Sequence, residues 1–338
     1  MELRNIIDPE ISRIVKDLID ASSKIAITCH VSPDGDAMGS SLGLAHVLKA
    51  IGKEVKVITP DTPPQVLSFM PGYDGIIVAS REYNQAKKIL DTSDLIFCLD
   101  YNGLKRIDRM GDALKNAGGK KVMVDHHPFP EDFADIVISK PEISSTCELV
   151  YRFLKSMGLD TSVNKEAAEC IYTGMLTDTG NFSYNSNDRD IYLIIAELID
   201  KGLDKDSVYE KAWNTNSEGR LRICGYSLYK KMELDMDRKL SIIALSKEEL
   251  EEFGYVKGDT EGLVNKPLSI PGIEWSVFLR ADEKDFVKIS MRSKGEFAVN
   301  GICEKLYGGG GHKNAAGGEL NGTLEEGIKI LKEYLDKQ

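Results

Sequence analysis

The chain has 338 residues, 42% of them hydrophobic and 29% charged, which is the balance of an ordinary globular protein with room for two cores and no need of disulfides. Its net charge of −11 argues against a face that coats long duplex nucleic acid, where neutralising phosphates dominates affinity; small or short substrates fit better. No run approaches the ~20 apolar residues of a membrane-spanning helix. The N-terminus, MELRNIIDPEISRIVKDLID, lacks the basic start and apolar block of a signal peptide, so a cytoplasmic protein without a membrane partner is expected. The cysteines at 29, 98, 147, 170, 224 and 303 form no Cys-x-x-Cys pair, and most sit in apolar runs; buried, reduced thiols are expected.

In chain order, Lys24–Cys29 is a short apolar run. It is followed by the turn-rich HVSPDGD and by a helical AMGSSLGLAHVLKAIG that ends in a glycine stop. EVKVIT, GIIVAS, LIFCLD and KVMVDHH follow, each short, rich in Val or Ile, and separated by helical or turn-rich stretches. This alternation predicts an α/β fold: an N-terminal, mostly parallel sheet flanked by helices, with ligands beyond the carboxyl ends of its strands. Asn164–Leu176 reads as a helix capped by Asn164. The charged, strandless stretch from 188 to 225 reads as a helical linker between a catalytic domain at 1–187 and a smaller α/β domain at 226–338. In the latter, LSIIAL, EWSVFLR and DFVKISMRS are strand-like, a glycine-rich GGGGH leads into AAGGEL, and TLEEGIKILKEYLDKQ is an amphipathic terminal helix.

Four of the five histidines stand beside turn or strand-end signals. His30 follows the first strand in His30-Val31-Ser32-Pro33-Asp34-Gly35-Asp36; Asp100 ends LIFCLD; Asp125-His126-His127 ends KVMVD; Asp178 follows the helical GMLT. Each alone reads as a turn or a helix cap. Together they place carboxylates and imidazoles where such a sheet would converge them. The pattern suits a pair of divalent cations about 3.5–4 Å apart, which can lower the pKa of water and clamp a phosphate. His30, Asp34, Asp36, Asp100, His126 and Asp178 suffice as ligands if one or two aspartates bridge, and imidazole among carboxylates leans toward manganese over magnesium. His46, in the helix after the first motif, is read as a structural or surface residue.

His30-x-x-Pro33-Asp34-x-Asp36, Asp100, Asp125-His126-His127 and Asp178 within LTDTGNF resemble the DHH phosphoesterase superfamily. The glycine run, its histidine and the following AAGG resemble the DHHA1 substrate-binding domain of the second subgroup, so the resemblance covers nearly the whole chain. It implies two Mn2+ per subunit, with Mg2+ or Co2+ as substitutes. His30 and Asp34 would hold one ion, Asp36 and His126 the other, with Asp100 and Asp178 shared or between them. It further implies that His127 faces the substrate phosphate, while Asp125 orients a neighbouring histidine and fixes its tautomer.

Gly308, Gly309, Gly310, Gly311 and His312 form no Walker A loop, since no Gly-Lys-Ser/Thr follows; their amides can still approach an anion closely. By resemblance, this segment and Arg292 hold the part of the substrate away from the cleaved bond, in a cleft between the domains; Arg280, ending EWSVFLR, is a weaker candidate for the same role. Tyr307 stands where relatives often have phenylalanine. The two-domain layout resembles manganese-dependent enzymes that degrade short single-stranded RNA to nucleoside monophosphates and dephosphorylate 3′-phosphoadenosine-5′-phosphate. A cyclic or linear dinucleotide phosphodiesterase and a non-catalytic nucleotide sensor are the alternatives. A homodimer is left open.

Overall fold

The computed structural model describes residues 2–337, which divide into two compact units at the boundary between Thr215 and Asn216. The first holds helices α1 (Pro9–Ala21), α2 (Gly35–Ala50), α3 (Ala79–Thr92), α4 (Met110–Asn116), α5 (Thr146–Ser156), α6 (Lys165–Asp178), α7 (Arg189–Asp200) and α8 (Lys205–Ala212). Its strands are β1 (Lys24–Thr28), β2 (Glu54–Thr59), β3 (Ile77–Val78), β4 (Leu95–Leu99), β5 (Lys120–Asp125) and β6 (Ile136–Ser139). They form one six-stranded sheet in the order β3-β2-β1-β4-β5-β6, parallel throughout.

The strands are apolar on both faces because helices cover both. Ile25, Ile27, Phe97 and Val122 pack with α1, α2, α5, α6 and α7, whereas Ala26, Ile96, Cys98 and Met123 pack under α3 and α4. The chain order reverses between β1 and β4, which opens a crevice at the carboxyl ends of neighbouring strands. Two elements depart from the expected list. The run GIIVAS supplies only the two residues of β3 before α3 begins at Ala79, and β6, half-buried at the sheet edge, adds a sixth strand. Residues 188–215, expected in the linker, pack into the first unit: Ile191, Ile194 and Leu198 of α7 and Val208 of α8 belong to its core. The periodic apolar face of α7 needs that cover, which a free-standing connector would not provide.

Local chemistry fixes the helix starts near the crevice. Asp34 caps α2 by accepting from the amides of Asp36 and Ala37, both at 3.0 Å. Ser145 caps α5, and Asn164 caps α6 through the amide of Ala167 at 2.9 Å. Cys29, Cys98, Cys147, Cys170 and Cys303 are buried, and all six thiols are free. His46 donates from Nε2 to the Pro71 carbonyl at 2.9 Å, a structural contact.

The second unit contains α9 (Glu218–Tyr226), α10 (Lys247–Glu252), α11 (Asn300–Tyr307) and α12 (Leu324–Leu335). Its strands are β7 (Glu233–Asp235), β8 (Leu240–Leu245), β9 (Trp275–Glu283), β10 (Phe286–Ser293), β11 (Gly310–His312) and β12 (Ala315–Asn321). The sheet order is β11-β12-β10-β9-β8-β7, antiparallel except for β8 with β9. Val277, Leu279, Val287, Ile289 and Met291 bury one face beneath α11 and α12. No helix among the described residues is long and apolar enough to cross a membrane.

Candidate metal centre

The loops that leave β1, β4 and β5, three adjacent strands, carry His30, Asp100 and Asp125-His126-His127 to one place. The starts of α2 and α5 and the end of α6 meet them there. His30 Nε2 lies 3.3 Å from Asp100 Oδ2 and 3.8 Å from Asp34 Oδ1. His126 Nε2 lies 3.5 Å from Asp178 Oδ2, 3.7 Å from Asp100 Oδ1 and 3.9 Å from Asp36 Oδ2. Two triads result, His30/Asp34/Asp100 and Asp36/His126/Asp178, each with its donor atoms within 4.8 Å of one another, and Asp100, His126 and His127 form a third such group. Asp100 touches both triads, one oxygen toward each histidine. It sits at φ 63°, a left-handed conformation in which aspartate is among the more tolerant residues.

The far nitrogens of the histidines are tied down. His30 Nδ1 contacts the Val31 carbonyl at 2.7 Å, and His126 Nδ1 the Ile143 carbonyl at 3.2 Å, which leaves Nε2 of each toward the carboxylates. His127 Nδ1 instead meets Asp125 Oδ1 at 2.7 Å, so this wholly buried carboxylate orients His127 and sets its tautomer. His127 Nδ1 also lies 3.6 Å from Asp100 Oδ1.

Two features behind these residues carry little sequence signal. The first amides of α5 point at Asp36: Thr146 N donates to Oδ2 at 2.6 Å and Cys147 N to Oδ1 at 2.8 Å. The Thr146 hydroxyl donates to Asp100 Oδ1 at 2.9 Å, so one residue holds two carboxylates. The second feature is a stripe of glycines, Gly35, Gly39 and Gly43, along α2 where it crosses α6. A Cβ on Gly39 would fall 2.5 Å from the Cys170 carbonyl oxygen, and one on Gly174 of α6 would fall 2.1 Å from Cys147 Sγ and 2.9 Å from Asp36 Oδ1. The spacing of four keeps these glycines on one helix face, and their lack of side chains lets α2 and α6 pack closely enough to bring Asp36 near Asp178.

The charge balance fits divalent cations. Asp34, Asp36, Asp100 and Asp178 crowd together, and the ion-pair partners of Asp36, Asp100 and Asp178 within the unit are histidines. Burial and the charges of Asp100 and Asp178 push the Asp36 carboxyl well above the usual range. Burial and the charges of Asp100 and Asp34 do the same to Asp178. Burial opposes the charge on His30, but its hydrogen bond to Asp100 wins and lifts it to about 9. Burial likewise raises Asp100, yet His30, His126 and His127 hold it well below the ordinary carboxylate range. Carboxylate oxygens and imidazole nitrogens gathered this closely are a donor set that fits divalent cations.

In the second unit, register aligns His312 with Ala315, Ala315 with Arg292, and Arg292 with Ser276, so Arg292 and His312 share one face two strands apart, roughly 9–10 Å. The glycine run is structured. Gly308 ends α11 at φ 62°, and Gly310–His312 form β11, with Gly309 so close to β12 that a Cβ would fall 2.0 Å from the Gly317 carbonyl oxygen. Arg280 is not brought to this row. It pairs in register with Lys288, four residues along β10 from Arg292, and its guanidinium is held by Asp282 at 2.5 and 3.0 Å, by Thr260 Oγ1 at 2.6 Å and over the Tyr255 ring. An arginine so engaged serves its own sheet.

A doubly wound sheet with two acid–histidine triads at its switch point defines a hydrolase of phosphate esters. The chain belongs to the DHH phosphoesterase family: the DHH family N-terminal domain model matches residues 24–175, and the DHHA1 domain model matches 240–337. It is similar to the bifunctional oligoribonuclease and PAP phosphatase NrnA of Thermus thermophilus, 31% identical over 96% of this chain and 94% of the relative. The crystal structure of an exopolyphosphatase-related protein from Bacteroides fragilis superposes with a TM-score of 0.96, at 49% identity over 99% of this chain and 98% of that one. Exonuclease RecJ bound to manganese shares the fold at a TM-score of 0.54 and 14% identity, covering 100% of this chain and 96% of its own.

Proposed function

We propose that this chain hydrolyses short RNA oligonucleotides to nucleoside monophosphates and dephosphorylates 3′-phosphoadenosine-5′-phosphate. The convergence of His30, Asp34, Asp36, Asp100, His126 and Asp178 carries the hydrolytic part of this reading. The substrate class rests on likeness, over nearly the full length of both chains, to an oligoribonuclease and PAP phosphatase.

His30 and Asp34 would hold one Mn2+, Asp36 and His126 a second, with Asp100 and Asp178 between them. Such a pair supplies Lewis acidity and lowers the pKa of water. His127, oriented by Asp125, presents its opposite ring nitrogen to the phosphate and stabilises charge that develops on its oxygens. Arg292 would offer a planar fork, and the Gly308–His312 segment its amides, to the part of the substrate away from the cleaved bond.

The likeness to an exopolyphosphatase-related protein favours a second reading, cleavage of inorganic polyphosphate by the same centre. The purified chain, loaded with Mn2+, should be compared on a dinucleotide, a trinucleotide, a long single strand, 3′-phosphoadenosine-5′-phosphate and tripolyphosphate. Dinucleotides should be cleaved faster per end than the long strand, and faster than tripolyphosphate. Preference for tripolyphosphate would replace the nucleotide reading.

A further inference from the structure

Phe129 is 89% exposed, the most exposed of the large hydrophobic side chains among the described residues. It also sits at φ 61°, a conformation that a bulky aromatic residue rarely adopts. Neither fact suits a loose surface loop. Its turn is fixed on both sides: the Asn102 side-chain amide donates to the Pro128 carbonyl at 2.7 Å, and Glu131 N donates to the Asn102 carbonyl at 2.7 Å. Glu131 Oε2 accepts from Leu104 N at 3.2 Å, while Pro128 and Pro130 stiffen the backbone around the ring. The loop that fixes it is the one leaving Asp100, and Phe129 follows His127 by two residues, at most about 7.6 Å between Cα atoms. An aromatic ring displayed rigidly, at a cost in backbone energy, beside residues of a phosphate-cleaving site has one evident use for a nucleotide.

We propose that Phe129 is a stacking platform for the nucleobase next to the cleaved phosphate. It would thereby select base-bearing substrates over inorganic polyphosphates. This rests on the nucleotide reading above and deepens it. Stacking on an exposed ring is tolerant of base identity, so the platform would favour nucleotides as a class.

The test compares wild type with Phe129→Ala and Phe129→Trp on a dinucleotide and on its abasic counterpart, two riboses joined by the same phosphodiester. In Phe129→Ala the ratio of kcat/KM for the dinucleotide to that for the abasic analogue should fall roughly ten- to a hundredfold, and Phe129→Trp should keep it. A fully exposed ring leaves the thermal midpoint unchanged on removal. An unchanged ratio, or equal losses on both substrates, overturns the platform. If the wild type does not cleave dinucleotides, the nucleotide reading falls, and calorimetric binding of AMP against ribose 5-phosphate decides the platform alone. A preference for AMP that Phe129→Ala abolishes sustains it; no preference in the wild type overturns it.

Discussion

Thr146 donates its hydroxyl to Asp100 at 2.9 Å while its own amide donates to Asp36 at 2.6 Å. A residue at the first turn of α5 thus fixes two carboxylates whose strands and helices are remote in sequence. Removing the hydroxyl by Thr146→Val keeps the shape and the amide but frees Asp100 to rotate. Manganese affinity, read by calorimetry, should weaken about 10- to 100-fold, and Thr146→Ser should restore it. A dissociation constant within about twofold of wild type would show that Asp100 needs no such support.

Asp100 faces both triads, so Asp100→Asn removes the charge that serves each. Turnover should fall on the order of a thousandfold or more with the fold intact. In the metal-free variant the His30 imidazole, lifted to about 9 chiefly against burial by Asp100, should titrate lower by NMR. Near-normal turnover in a metal-saturated variant would remove Asp100 from the centre.

The protonation pattern gives a sign to pH dependence. Asp36 and Asp178 titrate above, and His30 at about 9 above, their unfolded values near 3.9 and 6.5. The metal-free folded state therefore binds more protons than the unfolded chain at neutral to alkaline pH, and its stability falls as pH rises toward 9. Asp100, held low, works the other way only in acid. The thermal midpoint of chelated protein should drop between pH 6.5 and 9, and Mn2+ should bind with release of protons and more tightly at the higher pH. Metal binding without proton release would contradict the arrangement.

Packing at the α2–α6 crossing predicts a selective intolerance. Gly174→Ala places a methyl against Cys147 Sγ and Asp36 Oδ1, with an expected cost of at least ~2 kcal/mol and weaker metal binding. Gly118→Ala, where a Cβ meets nothing within 4 Å, should change stability by less than ~0.5 kcal/mol. Chemical denaturation of both variants measures the contrast.

Arg292→Ala should mainly raise KM for a dinucleotide, with some loss of kcat, since remote contacts help orient the reacting group. The effect should shrink on a minimal nitrophenyl phosphodiester, and metal content should not change. Equal losses on both substrates would refute distal recognition.

The sequence made the centre legible because much of it sits where an apolar run stops at Asp or His, Leu99 before Asp100 and Val124 before Asp125-His126, while Asp34, Asp36 and Asp178 stand at helix ends. It hid what depends on tertiary contact. Thr146 lies 46 residues from Asp100 with no motif to join them. The short edge strand β6 is half-exposed and weakly patterned, and β11 is built of glycines with no strand propensity. Arg280 resembles Arg292 in type and strand position, and their contacts tell the two apart: Asp282 and Thr260 hold Arg280, whereas Arg292 donates to the carbonyls of Met291 and Ala316.

The crowding of Asp34, Asp36, Asp100 and Asp178 has a consequence for the life of the protein in a cell short of metal. Burial and mutual repulsion raise the Asp36 and Asp178 carboxyls, and, against burial, Asp100 raises His30, so each of the three takes up a proton more readily in the fold than in the unfolded chain. Withdrawal of divalent cations should therefore leave a reservoir of folded, idle molecules, ready for reactivation without new synthesis when a suitable ion returns.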